Sequence, residues 1–297
     1  MSTRPQVILD TDTYNEVDDQ FALAHLLLAP DLIDLVAVYA APFYNDRSEG
    51  PEDGMERSYR EIHKVYELLQ PERAPATFRG SRGYLPAAQT PVPSDAAADL
   101  VARAEALGEG ERLQVVAIGA ITNVASALLL APQIAPRLQV TWLGGHAPYW
   151  HHTNEFNLKQ DLHAARVFLE TEVDFILVPC WPVASHLLTT VAELEARLAP
   201  CGKFGAYLSD IVRDYGANRP GWAKEIWDLG ATAYVLNPEW LLLEEQPAPV
   251  LRDDLTWEAG SNRRTIKIAR RVFRDEIFGD FYERLRLHAE RLGKVGH

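Results

Sequence analysis

Val7-Ile8-Leu9-Asp10-Thr11-Asp12-Thr13-Tyr14-Asn15-Glu16-Val17-Asp18-Asp19 decides how the rest of this chain is read. A short apolar run ends in two alternating carboxylates, Asp10 and Asp12. Two adjacent ones, Asp18 and Asp19, then open into the apolar, helix-like run Phe21 to Ala29. Five acids (Asp10, Asp12, Glu16, Asp18, Asp19) fall within ten positions, with no Lys or Arg among them. Like charges this close raise one another's pKa and destabilise their site unless a cation compensates. Carboxylate oxygens are preferred ligands of Ca²⁺ and Mg²⁺. A strand that ends where a helix begins is also where open α/β sheets place their ligands. The stretch predicts a hard-cation site at the carboxyl end of a first strand. Helix capping would account for Asp18 or Asp19, but not for Asp10 and Asp12 at a strand end.

Outward from this stretch, apolar runs alternate with helix-like segments. Val7–Leu9, Leu35–Tyr39, Ala76–Phe78, Leu113–Ile118, Val140–Leu143 and Phe175–Val178 read as strands, short and apolar on both faces as buried parallel strands are. Segments near 19–29, 54–70, 94–107, 121–130, 160–171 and 190–198 read as helices; Pro30, Pro71 and Pro132 stop three of them. Asp161 and Ser94 are candidate caps. Alternation of this kind predicts an α/β fold with a mostly parallel central sheet flanked by helices. After Pro182 the pattern turns helical (203–216, 228–236, 273–292), with a strand-like insertion at Pro249–Leu251 and Thr265–Ile268. The expectation is one domain over residues 1–297 with a helical C-terminal elaboration.

Bulk properties exclude several classes. The chain has 297 residues, 47% of them hydrophobic, and a net charge of −13, which argues against a nucleic-acid binder. Two cysteines, Cys180 and Cys201, are too few for a disulfide framework. The polar lead-in Met1–Pro5 has no signal-like pattern, and no apolar run approaches the ~20 residues a membrane span needs. A reduced, cytoplasmic setting is the expectation.

Three further clusters stand out. Val115–Asn123 runs from a strand through Gly119 into Thr122-Asn123 at a helix start. Either residue is a natural N-cap, and a carbonyl there can also complete a cation's oxygen shell. In Leu143–Asn157 a strand ends in Gly144-Gly145, and a loop with three His, one Glu and two Asn within twelve residues follows. Amides, carboxylates and rings together suit the hydroxyls and apolar faces of a sugar; paired His151-His152 without Cys is weak zinc evidence. Finally, Lys224–Leu229 precedes an apolar helix, and its Asp228 is either a first-turn acid or the distal acid of the N-terminal site.

These segments, in this order, resemble the nucleoside hydrolase family of inosine-uridine preferring type. The resemblance rests on Asp10-Thr11-Asp12 with Asp18-Asp19, Gly119-Ala120-Ile121-Thr122-Asn123, Gly144-Gly145 with Glu155-Phe156-Asn157, and Asp228. Arg79-Gly80-Ser81 and Val178-Pro179 sit at comparable turns. The resemblance implies a Ca²⁺-dependent N-ribosyl hydrolase acting on a ribonucleoside, and a homodimer or homotetramer. It implies Asp12 as general base on a Ca²⁺-bound water. Asp19, Asp228 and the Thr122 carbonyl would be metal ligands, with Asp10 a further ligand or a support behind them. Asp18, Asn157 and Glu155 would hold ribose hydroxyls.

The chain also departs from the family pattern. Thr13–Val17 is a longer spacer than usual, so Asn15 and Glu16 are extra and can reach the substrate. Trp227 stands where a family histidine usually precedes the late aspartate, and Ala40–Asn45 replaces the usual Gly-Asn after the second strand. The upstream asparagine of the sugar loop is not obvious. Leaving-group assistance falls to His146, His151, His152 or Tyr149, or to stacking on Trp150 or Trp227. Two alternatives are a ribose-binding protein that has lost turnover, and a haloacid-dehalogenase-like phosphatase, against which Tyr14 and the Asp18-Asp19 pair argue.

Overall fold

The computed structural model describes residues 4–216, 219–260 and 262–295; of the polar lead-in, Met1 to Thr3 lie outside the described residues. The first half alternates: β1 (Gln6–Thr11), α1 (Asp19–Leu27), β2 (Asp34–Ala40), α2 (Pro51–Leu69), β3 (Ala76–Arg79), α3 (Asp95–Ala106), β4 (Leu113–Ala117), α4 (Thr122–Leu130), β5 (Leu138–Leu143), α5 (Phe156–Gln160), α6 (Leu162–Glu170) and β6 (Asp174–Val178). The second half is mainly helical: β7 (Leu188–Thr189), α7 (Val191–Leu198), α8 (Gly202–Gly216), β8 (Lys224–Glu225), α9 (Leu229–Leu236), β9 (Leu241–Pro247), β10 (Val250–Leu251), β11 (Trp257–Glu258), β12 (Thr265–Val272) and α10 (Arg274–Val295).

The main sheet runs β3-β2-β1-β4-β5-β6-β12-β9. It is parallel except at the edge, where β9 pairs antiparallel with β12. From β1 the chain builds one way to β2 and β3, then returns to lay β4 on the other side of β1. The order reverses between β1 and β4, which is where a doubly wound sheet opens a crevice beyond its strand ends. Asp10 pairs in register with Ala117 across this junction, so the acids that end β1 face the turn that follows β4.

The pleat alternates β1 side chains between two buried layers. Val7 and Leu9 pack with α1, α2, α8, α9 and α10; Ile8 packs on the other face with α3, α4 and α6. Parallel strands buried on both faces explain why these runs lack polar alternation.

One expectation is corrected. Thr265–Ile268 is no insertion: it lies in β12, paired parallel to β6 within the main sheet, and only Val250–Leu251 forms a separate ribbon, with β11. The helix expected near 160–171 is α6, preceded by the short α5, and Asp161 stands at its N-cap as expected, outside helical geometry (φ −139°, ψ 85°). Its carboxylate accepts from the Ala164 N–H (2.9 Å) and caps the helix. Ser94 caps α3 as expected, accepting from Ala97 N–H. Both cysteines are free and buried, and no described helix is long and apolar enough to cross a membrane.

Candidate active site

The acid stretch is drawn into a knot at the end of β1. The Asp12 carbonyl accepts from the amides of Tyr14 (2.6 Å) and Asn15 (2.7 Å), which turns the chain sharply after the strand. The Thr11 hydroxyl donates to Asp19 Oδ1 (2.5 Å) and fixes the first residue of α1 against the strand end. Asp18 and Asp228 occupy the N-cap positions of α1 and α9, yet neither side chain makes a capping hydrogen bond. Their carboxylates point together instead: Asp18, Asp19 and Asp228 each offer an oxygen, and these lie within 4.8 Å of one another. The two helices bearing them are tied further along, where His25 of α1 meets the Thr232 hydroxyl of α9 at 3.2 Å.

Asp12 is fully buried beside this trio, and both of its carboxylate oxygens lack any hydrogen-bond partner. It is close-packed from behind: a Cβ on Gly119 would come within 3.1 Å of the Asp12 carboxyl carbon. Asp10 stands one layer back. Its Oδ1 accepts from the Asn123 amide (2.7 Å), and its Oδ2 is buried without a partner. The Ser81 N–H holds Asn123 in turn (2.7 Å). That contact needs Gly80, where a Cβ would lie 2.5 Å from the Asn123 amide nitrogen.

Burial and mutual repulsion push these acids up. Burial, then Asp18, raises Asp19 to about 8; burial raises Asp10 to about 7 and Asp18 to about 6. Asp12 goes well up through burial, then Asp19 and Asp18, and Asp228 through burial, then Asp18 and Asp19. One buried cation sits among them: Lys224, with Nζ 2.6 Å from Glu16 Oε2 and 2.7 Å from the Glu225 carbonyl. Burial alone would depress this ammonium, but Asp18 and Glu16 more than reverse that.

The Leu143–Asn157 loop supplies another wall. Glu155 caps α5 with both oxygens, accepting from Gly145 (2.7 Å), Asn157 (2.9 Å) and Leu158 (2.9 Å) amides. The Asn157 amide nitrogen donates to the Ile118 and Leu143 carbonyls, each at 3.0 Å. Opposite lies an aromatic group: Trp181 stacks on Trp150 (6.0 Å between ring centres) and meets Trp227 edge-on (6.0 Å). His146 accepts on Nδ1 from the Trp181 N–H (3.3 Å). Burial, then His152, pushes it down to about 4, so the ring is neutral at pH 7.

A cavity of about 260 Å³ joins these walls. Among its lining residues are Asn15, Asp18, Asp19, His146, Glu155, Asn157, Trp227 and Asp228, all expected from the sequence. Asp12 and Asp10 lie buried behind them. Thr122 is a correction: it occupies the first turn of α4, its hydroxyl donates to Asp161 (2.8 Å), and it does not line the cavity. Ile118, at the end of β4, does. Neither Thr122 nor Asn123 caps α4; the cap position is Ile121. Tyr149, His151, His152 and Trp150 are not among the lining residues. Glu16, expected to reach the substrate, lines the cavity; sequence reasoning missed its partner Lys224 and the lining residues Trp181, Cys180 and Asn154. Only the Asn-x-x-Asn spacing of 154 and 157 signalled the last.

An acid floor at the switch point of a doubly wound sheet, faced by an Asn/Glu loop, defines a class, and comparison gives it a family. Residues 7–278 match the family model described as inosine-uridine preferring nucleoside hydrolase. The chain belongs to this family, and so to the hydrolases that act on N-glycosyl bonds of ribonucleosides. It is 24% identical over 262 residues to a non-specific ribonucleoside hydrolase of Salmonella agona, covering 82% of each chain. A 71-residue stretch is 37% identical to a probable ribonucleoside hydrolase of Dictyostelium discoideum, 23% of this chain and 21% of that one. Among solved structures, an inosine-guanosine nucleoside hydrolase superposes with TM-score 0.76 at 19% identity, covering 97% of this chain and 99% of the other. A purine-preferring ribonucleoside hydrolase from Gardnerella vaginalis gives 0.73 at 20%, covering 96% and 99%. Neither the phosphatase nor the non-catalytic alternative is favoured by these matches.

Proposed function

We propose that this chain hydrolyses the N-glycosidic bond of a ribonucleoside with a Ca²⁺ ion held at the acid floor. The observation that carries the reading is the convergence of Asp18, Asp19 and Asp228 within 4.8 Å, beside an Asp12 whose oxygens have no partner. Acids so buried and so close need a positive charge to stay ionised. An all-oxygen donor set suits a hard cation of high coordination number. Asp12, Asp19 and Asp228 would hold the ion, with Asp10 behind them and the Ile118 carbonyl in the part expected of Thr122. When bound, such an ion lowers the pKa of a water and fixes its position.

Asp12 acts as the base that takes a proton from the attacking water. The water oxygen becomes the hydroxyl on the anomeric carbon. The carbon–nitrogen bond breaks, its electron pair leaves with the nucleobase, and the nucleobase takes up a proton from solvent as Asp12 gives its own up. Positive charge develops on the ribose, and the surrounding carboxylates stabilise it without reorganising. Asp18, Glu155 and Asn157 hold ribose hydroxyls; two carbonyl contacts orient the Asn157 amide. Trp227 offers its face to the nucleobase. His146, neutral at pH 7, can donate a hydrogen bond from Nε2 to the nucleobase but is not the strong acid an imidazolium would be.

The test is release of free ribose from a panel of ribonucleosides, with chelator and after Ca²⁺ is returned. Release that stops on chelation and resumes with Ca²⁺ supports the reading. Undiminished release in chelator, or none from any ribonucleoside, overturns it.

A further inference from the structure

Glu16 belongs to the extra spacer between Asp12 and Asp18 and is absorbed by none of the roles above. Its segment is braced from outside. Asn45 donates to the Asn15 side chain (2.8 Å), and Arg47 donates to the Glu16 carbonyl (2.9 Å). Lys224 takes one carboxylate oxygen, Oε2, at 2.6 Å, and the side chain keeps 32% of its surface open. Glu16 lines the same cavity as Trp227 and Trp181. The Lys224 ammonium that holds Glu16 also lies 5.9 Å from the centre of the Trp227 ring, so carboxylate and indole share one neighbour. Tyr215 flanks the same ammonium, 5.5 Å from its ring centre. Asp18, Asp19 and Asp228 are buried, whereas Glu16 and Trp227 are partly open. The floor and the rim of the cavity are thus chemically distinct, and a nucleoside whose ribose lies on the acids presents its base to the rim.

We infer that Glu16 is a specificity-determining residue, whose second carboxylate oxygen accepts the ring N–H of a 6-oxopurine base resting against Trp227. The inference rests on the ribonucleoside reading. Hypoxanthine and guanine carry a proton on N1, and guanine adds an amino donor beside it. Adenine presents a bare lone pair at N1, which an ionised carboxylate repels and leaves unpaired. Lys224 fixes the polarity of the contact: with Oε2 committed to the ammonium, the oxygen turned to the base can only accept. In Glu16→Gln the ammonium still requires an acceptor. The amide oxygen stays on Lys224, and the amide NH₂ faces the base as a donor.

Calorimetric titration with guanosine, inosine, adenosine and 1-methylinosine, run beside ribose release, tests this. The protein should bind guanosine and inosine roughly tenfold or more tighter than adenosine and 1-methylinosine, the low end of what an unmade pairing costs. Glu16→Gln should collapse that ratio, with adenosine gaining. Adenosine or 1-methylinosine binding as tightly as inosine overturns the inference, as does an unchanged ratio in Glu16→Gln or no binding of any nucleoside. Discriminating binding without ribose release sinks the hydrolytic reading and leaves the role of Glu16 standing.

Discussion

The floor and the rim of the cavity were built in opposite ways. The floor comes from one contiguous stretch, Asp10 to Asp19, closed by the single distant Asp228. The rim is assembled from turns after three different strands: His146 after β5, Trp181 after β6 and Trp227 after β8. The floor is dry, crowded and tied to the sheet through Asn123, Thr11 and Gly119. The rim is partly open and held by ring packing. The floor is thus fixed by the sheet, and the rim by loops, the part of a fold that most readily accepts change.

The most damaging change to the floor is Asp12→Asn. It keeps the shape and removes the base, so kcat should fall by on the order of 10²–10⁴ while nucleoside binding persists. Steady-state ribose release beside calorimetric nucleoside binding checks this; equal losses in both would mean that Asp12 only shapes the pocket.

A second contrast is in pH. Without metal, Asp19 binds its proton more tightly in the folded chain, with a pKa raised from 3.8 to about 8; Asp18 follows, to about 6. An acid raised on folding contributes stability that is full below about pH 4 and is lost as pH rises through about 8. The melting temperature of chelated protein should therefore fall across that window. Saturating Ca²⁺ should restore it most at the upper end, by about 2.7 kcal/mol at a hundredfold excess over Kd. Parallel melting curves with and without Ca²⁺ would contradict this.

The rim should give the smallest effect. Trp227→Ala should cost about 1–3 kcal/mol of nucleoside binding, the usual worth of one stacked base, and appear chiefly in KM. A fall confined to kcat would instead place Trp227 at the leaving group.

Much of this was legible in the sequence because it was local. Six strands of the main sheet announced themselves as apolar runs, five of them buried and β3 at the edge, and the acid stretch announced the floor. β9 was missed because Leu241-Leu242-Leu243-Glu244-Glu245 carries no β-branched residue and lies half-exposed at the sheet edge. Nothing local marked Lys224 as buried; its ammonium is paired with Glu16 from the far end of the chain. Thr122 misled because a Thr-Asn pair looks like a cap, whereas here Asn123 reaches back to Asp10 and Thr122 to Asp161. Trp181 became part of the rim only because β6 and β5 bring their following turns together, joined by Ala147 N–H to the Trp181 carbonyl.

The account's central claim is that acids from both ends of the chain grip one divalent ion. Calorimetric titration of chelator-stripped protein with Ca²⁺ tests it most directly. One site per chain is expected in the wild type, lost in both Asp19→Ala and Asp228→Ala although each variant remains folded by circular dichroism. Wild-type Ca²⁺ binding in folded Asp228→Ala would contradict the account.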